Sequence, residues 1–169
     1  RYAWTQADVD SFAAANGIQI ADGTYALCMS AAPRRVIDVS GGSSANGANI
    51  QIYATNNTNA QRWDIKNVYG NDGQPTGYVT IARAGRASLL DVSGGNKKSG
   101  ANVQQYRKNG TAAQRWIPVK QADGSYVFYS GLGRNLVLDV SGGSTSNGAD
   151  VRVWAANGSA AQRFVAVDA

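Results

Sequence analysis

The sequence predicts an all-β protein built from three similar units, and three observations carry that prediction. The first is a repeat. Ile37-Asp38-Val39-Ser40-Gly41-Gly42, Leu90-Asp91-Val92-Ser93-Gly94-Gly95 and Leu138-Asp139-Val140-Ser141-Gly142-Gly143 each open a block, and the blocks close on Gln61-Arg62-Trp63, Gln114-Arg115-Trp116 and Gln162-Arg163-Phe164. The Asp-to-Gln interval is 23 residues in every copy, while successive copies sit 53 and 48 residues apart (Asp38 to Asp91, Asp91 to Asp139). A period near fifty residues marks an architecture of stacked or closed units, each unable to bury its apolar face alone. The second observation is the density of short strand-like runs separated by turn signals such as Asn46-Gly47, Asn109-Gly110, Asn147-Gly148 and Asn157-Gly158. The third is composition: 20 Gly, 3 Pro and 16% charged residues in 169 suit a turn-rich β domain large enough for a real core. Three units of four strands close most naturally as a pseudo-threefold β-trefoil, because a propeller needs at least four blades.

The elements follow in order. Residues 1–22 lie outside the repeat, as an N-terminal arm or linker. Thr5-Gln6-Ala7-Asp8 ahead of Val9, Phe12 and Ala13 is a capping-box helix start, and Asn16-Gly17 ends it. The trefoil then occupies residues 23–169, in repeats of about 23–67, 68–120 and 121–169. The expected strands are 24–30, 35–40, 49–55 and 61–67 in the first repeat. In the second they are 77–83, 88–93, 102–107 and 114–120, and in the third 125–130, 136–141, 150–155 and 162–167.

Alternation assigns faces within those strands. Ile50 and Ile52 oppose Asn49, Gln51 and Tyr53; Val151 and Val153 oppose Asp150, Arg152 and Trp154; Val103 opposes Asn102, Gln104 and Tyr106, with Gln105 breaking the pattern. The β-branched residues face the core, so the aromatic falls on the outward face each time. By the same rule Asp38, Asp91 and Asp139, each between two aliphatics, point outward. Every repeat therefore offers a carboxylate, an amide or guanidinium, and a flat ring. Two readings of this set stand side by side. A carboxylate and an amide match the hydroxyls of a sugar rim, and a ring matches its apolar C–H face. Alternatively, Asp-Val-Ser-Gly-Gly is only a turn whose Asp accepts backbone N–H bonds, and the rings are edges of the core. Trp63, Trp116 and Phe164 read as core residues, worth a few kcal/mol each on burial.

Composition narrows the function classes. Histidine is absent, which removes the commonest general base and metal ligand together; no cofactor and no metal are expected. Cys28, the single cysteine, cannot form an internal disulfide and reads as a small buried hydrophobe within a strand. Net charge is +5, but the basic residues are scattered, so no nucleic-acid partner is expected. No run of eighteen apolar residues occurs, so no membrane insertion is expected. The chain starts at Arg1 without Met or signal peptide, as a mature or excised piece of a larger protein would.

The pattern Asp-Val-x-Gly-Gly, Asn-Gly, Gln-x-aromatic and Gln-x-Trp, three times at matched spacing over about residues 23–168, resembles the ricin-type β-trefoil lectins. The resemblance implies one sugar site per repeat. The first comprises Asp38, Gln51 and Tyr53, supported by Gln61; the second Asp91, Gln104 and Tyr106, supported by Gln114; the third Asp139, Arg152 and Trp154, supported by Gln162. Three departures accompany it. The family often carries an Asn before the closing Gln, where this chain has Ala60, Ala113 and Ala161. Arg152 stands where an amide is expected. The positions corresponding to the family's disulfides hold Val36 with Thr55, Leu89 with Lys108, and Val137 with Ala156.

These readings lead to a non-catalytic, multivalent carbohydrate-binding module of a larger secreted or surface protein, bacterial in origin, with glycan or polysaccharide as partner. The loops 41–48, 94–101 and 142–149 are expected to select the sugar. The alternative is a protein-binding or adhesion trefoil that has lost sugar binding. An enzyme ranks third, since no nucleophile–base pair or carboxylate dyad stands out.

Overall fold

A computed structural model describes residues 4–133 and 135–169. One helix, α1 (Gln6–Asn16), precedes strands β1 (Gly23–Met29), β2 (Arg35–Val39), β3 (Ile50–Ala54) and β4 (Trp63–Tyr69). The second set is β5 (Pro75–Arg83), β6 (Ser88–Val92), β7 (Val103–Arg107) and β8 (Trp116–Lys120), and the third is β9 (Tyr126–Ser130), β10 (Leu136–Val140), β11 (Val151–Ala155) and β12 (Phe164–Asp168). Strands β1, β4, β5, β8, β9 and β12 pair in a closed antiparallel ring, which leaves no barrel edge unpaired. Hairpins β2–β3, β6–β7 and β10–β11 hang from β1, β5 and β9. This is the β-trefoil expected from the repeat.

The closing motif differs from its expected form. Gln61, Gln114 and Gln162 are the last residues of 3-10 turns (Asn59–Gln61, Ala112–Gln114, Ala160–Gln162), and the strand begins only at the aromatic. Each aromatic is fully buried. Trp63 Nε1 donates to Ile37 O at 3.0 Å and Trp116 Nε1 to Leu90 O at 3.2 Å, so neither buried indole leaves an orphaned donor. Phe164, with no N–H, fills the third equivalent place beside Phe128.

Polar stitching joins the three hairpins. Ile52 and Val153 each exchange two backbone bonds with a loop of another repeat, and Gln105 does the same. Asn46, Ser99 and Asn147 accept the backbone N–H groups of Arg107, Ala155 and Ala54. Gln105, the break in the apolar pattern, occupies a core-facing position, where its Nε2 donates to Ser43 O and Ala45 O at 2.8 and 2.9 Å. Alternation had also placed Asn49, Asn102 and Asp150 outward. They turn instead toward the junction of the hairpins, where Asn102 Nδ2 donates to Asn49 Oδ1 and Asn49 Nδ2 to Asp150 Oδ1, each at 2.8 Å.

Helix α1 forms on its expected residues. Thr5 Oγ1 accepts from Asp8 N while Thr5 N donates to Asp8 Oδ2, completing the capping box. Val9 and Ala13 are buried against Tyr78 and Ile117 in a small second core. Gly77 and Gly133 permit that approach: a Cβ on Gly77 would lie 1.7 Å from Ala13 O, and one on Gly133 2.5 Å from a Val9 methyl. Cys28 is buried and its thiol pKa is pushed up by that burial, as a packing residue requires.

Candidate functional site

Each repeat builds the same knot around its aspartate. Asp38 pairs across the hairpin with Gln51, Asp91 with Gln104 and Asp139 with Arg152. Gln51 Nε2 donates to Asp38 Oδ1 at 3.0 Å, Gln104 Nε2 to Asp91 Oδ1 at 3.1 Å, and Arg152 Nε to Asp139 Oδ1 at 2.9 Å. The second carboxylate oxygen is held from behind. Gln61, Gln114 and Gln162 donate Nε2 to Asp38, Asp91 and Asp139 Oδ2 at 2.9, 2.9 and 3.0 Å. The same amides donate to Ala54 O, Arg107 O and Ala155 O, and their Oε1 atoms accept from the backbone N–H of Asn56, Asn109 and Asn157. The repeated 23-residue interval thus spans one hydrogen bond, from strand carboxylate to turn amide.

This geometry corrects one expectation. The aspartates are not outward: Asp38, Asp91 and Asp139 are 4%, 4% and 3% exposed. Alternation assigns the side of the strand, but the 3-10 turn folds back over that side and covers it. Burial raises the Asp91 carboxyl pKa above the usual carboxylate range, against the opposing pull of its bonds from Gln104 and Gln114. The rings do reach solvent. Tyr53 is 40% exposed and Trp154 36%, while Tyr106 is half-buried beside Arg107.

Two clefts lie over these knots. One of about 410 Å³ is lined by Asp38, Gln51, Tyr53, Gly41 and Gly42, and walled by 56–60 and Arg83. The other, about 380 Å³, is lined by Asp139, Arg152, Trp154, Gly142 and Gly143, and walled by 157–161 and Met29. Gln61 and Gln162 do not line them; they fix the carboxylate from the protein side. The glycine pair is required by backbone: Gly41 and Gly42 have φ of 64° and 61°, and the other two copies repeat this.

Several contributors escaped the sequence reading. Asn56 and Asn157, two residues past each hairpin strand, line the clefts; the Asn-x-Thr/Ser spacing marks both, and Asn157 reads from sequence only as part of a turn. Arg83 comes from the neighbouring repeat. It pairs in register with Trp63, as Ser130 does with Trp116 and Met29 with Phe164, so three equivalent places hold an arginine, a serine and a methionine. The Arg83 guanidinium donates to Ser43 O at 2.7 Å and Gly42 O at 3.2 Å, clamping the turn under the first cleft. Burial lowers its pKa from the usual arginine value. The loop 41–48 was expected to select ligand, yet beyond Gly42 it is spent on inter-repeat contacts, and the 56–60 segment forms the wall instead.

Residues 11–73 and 59–154 match the family of ricin-type β-trefoil lectin domain-like sequences. The chain belongs to that family. Among solved structures, this ricin-type domain is similar to the designed threefold-symmetric protein ThreeFoil, at 30% identity and TM-score 0.80 over 88% of this chain and 100% of that one. It is also similar to an exo-β-1,3-galactanase from Clostridium thermocellum, at 29% identity and TM-score 0.78, covering 90% of this chain and 31% of the galactanase. The ricin B-like lectin of Macrolepiota procera, solved with lactose, shares the fold at 20% identity and TM-score 0.71, covering 90% of this chain and 100% of the lectin. Comparison with curated protein sequences returns no match.

Proposed function

We propose that this ricin-type domain is a non-catalytic carbohydrate-binding module of a larger secreted or surface protein of bacterial origin, binding glycan through up to three shallow sites. The observation that carries the reading is an exposed ring beside an aspartate whose two oxygens are already oriented by amide or guanidinium donors, inside an open cleft. Each carboxylate oxygen has a second lone pair for a sugar hydroxyl, and the ring supplies a platform for the C–H face. Pre-orientation lowers the ordering cost of binding, yet a small shallow site remains weak alone. Three sites engaging one polymer or a dense glycan surface gain apparent affinity through avidity. The galactanase, of which this chain spans 31%, supports a module within a longer chain, and the lactose-bound lectin supports sugar as the partner.

The test is a glycan array probed with the wild type and with Tyr53→Ala, Tyr106→Ala and Trp154→Ala combined. Tyr53 and Trp154 are exposed and Tyr106 is half-buried, and none of the three side chains hydrogen-bonds to an aspartate knot, so the variant is expected to stay folded. Binding by the wild type that vanishes in the variant is expected, and it names the sugar class. A folded wild type that binds no glycan refutes the reading in favour of a protein-binding trefoil, and binding unchanged in the variant refutes the site assignment.

A further inference from the structure

We propose that the third site takes an anionic sugar, a glycosyl residue bearing a carboxylate or sulfate, while the first two take neutral ones. The inference rests on the reading of these clefts as glycan sites and concerns what distinguishes one from the others. The three knots are superimposable in their connections but not in charge. In the first and second sites a neutral amide holds Oδ1 of the aspartate. In the third, Arg152 holds it through Nε alone, in an ion pair of 2.9 Å. A guanidinium has five N–H donors. One is used on Asp139, and among the described residues no protein acceptor takes either terminal nitrogen.

The guanidinium is also held in place. Its Cζ lies 4.0 Å from the Trp154 ring centroid, which is contact distance, so the planar group lies against the ring. It therefore takes a share of the platform that a neutral sugar's C–H face would use. In exchange it presents a flat fork of donors to the cleft, the geometry that matches a carboxylate or sulfate in a bidentate pair. The surroundings permit an anion. Among the described residues, Asp139 is the single carboxylate lining this cleft, and Arg152 compensates it. Asn157 and Ser159 also line the cleft; Asn157 Oδ1 accepts from Ser159 N at 2.9 Å, and its Nδ2 group is left to donate to a sugar hydroxyl. The positive net charge of +5 favours approach of an anionic polymer at low salt.

The test uses the intact chain and follows the Trp154 indole and the Arg152 guanidinium by NMR. The probes are galacturonic acid, galactose, galactose 6-sulfate and inorganic sulfate. Galacturonic acid or galactose 6-sulfate should move both signals, galactose at equal concentration should not, and the difference should shrink as salt is raised. Which of the two acidic sugars binds more tightly identifies the anionic group. Arg152→Gln recreates the amide of the first two sites and keeps a donor to Asp139, so it should fold with an unchanged melting temperature. It should weaken binding of the acidic sugar at least tenfold. An equal response to galactose and the acidic sugars, an acid preference that survives Arg152→Gln, or an inorganic sulfate response matching that of the sugars overturns the proposal. If neutral glycans still act at Tyr53 while acidic sugars leave Trp154 unmoved, this proposal alone falls. If no glycan acts at any ring, the carbohydrate reading falls with it.

Discussion

Replacing Gln61 with Leu isolates what the buried amide contributes. Gln61 is 2% exposed, and its side chain makes three hydrogen bonds: Nε2 to Asp38 Oδ2 at 2.9 Å, Nε2 to Ala54 O at 2.9 Å, and Oε1 from Asn56 N at 2.8 Å. The bond to the carboxylate is charge-assisted and worth about 1.5–3 kcal/mol, and the two neutral bonds contribute about 0.5–1.5 kcal/mol each. Leucine has similar volume and the glutamine already buries its methylenes, so the apolar gain is about 1 kcal/mol. The net loss is roughly 3 kcal/mol. For a domain of this length, each kcal/mol moves the melting temperature by about 2–4 °C, so a fall of about 6–12 °C is expected. Urea unfolding followed by tryptophan fluorescence should show the midpoint falling at unchanged m-value. Gln114→Leu and Gln162→Leu should cost the same, because their bonds are the same. Combining Gln61→Leu with Gln162→Leu should be additive, since the two knots share no partner. A fall below about 2 °C in Gln61→Leu would show that the amide merely fills space, and the account of the 23-residue interval would fail.

Three further outcomes follow from other parts of the structure. Gly77→Ala forces a left-handed residue (φ of 84°) and drives a methyl into Ala13 O, so α1 should detach while the barrel persists. Hydrogen exchange of the α1 amides should rise to near-unfolded rates, and retained protection would refute the packing argument. At the second site, burial raises the Asp91 carboxyl pKa. The folded state then binds a proton that the unfolded chain releases, so stability rises as pH falls through that window, and Asp91→Asn should flatten the slope. If the proposed site at Tyr106 uses the ionised Asp91 carboxylate, glycan binding there should weaken on acidification already at a pH above the ordinary carboxylate midpoint. A binding midpoint at or below that value would contradict the assignment.

Periodicity made the fold legible because closing three equal units is a global constraint that each unit states for itself. The repeated Asp, Gln and aromatic positions, the helix cap at Thr5 and Asp8, and the core roles of Trp63, Trp116 and Phe164 are local or periodic facts, written in spacing. Tertiary structure decided the rest, wherever one repeat meets another or a turn folds back on a strand. Alternation could not reveal that Asp38, Asp91 and Asp139 are covered, because the covering amide arrives 23 residues later from a 3-10 turn. Nor could it place Arg83, which lies far from Gly42 in sequence and meets its carbonyl only when the barrel closes. Side-chain type announces what a residue can bond. Which partner reaches it, and whether water is excluded when it does, is settled by packing between units that each sequence window sees alone.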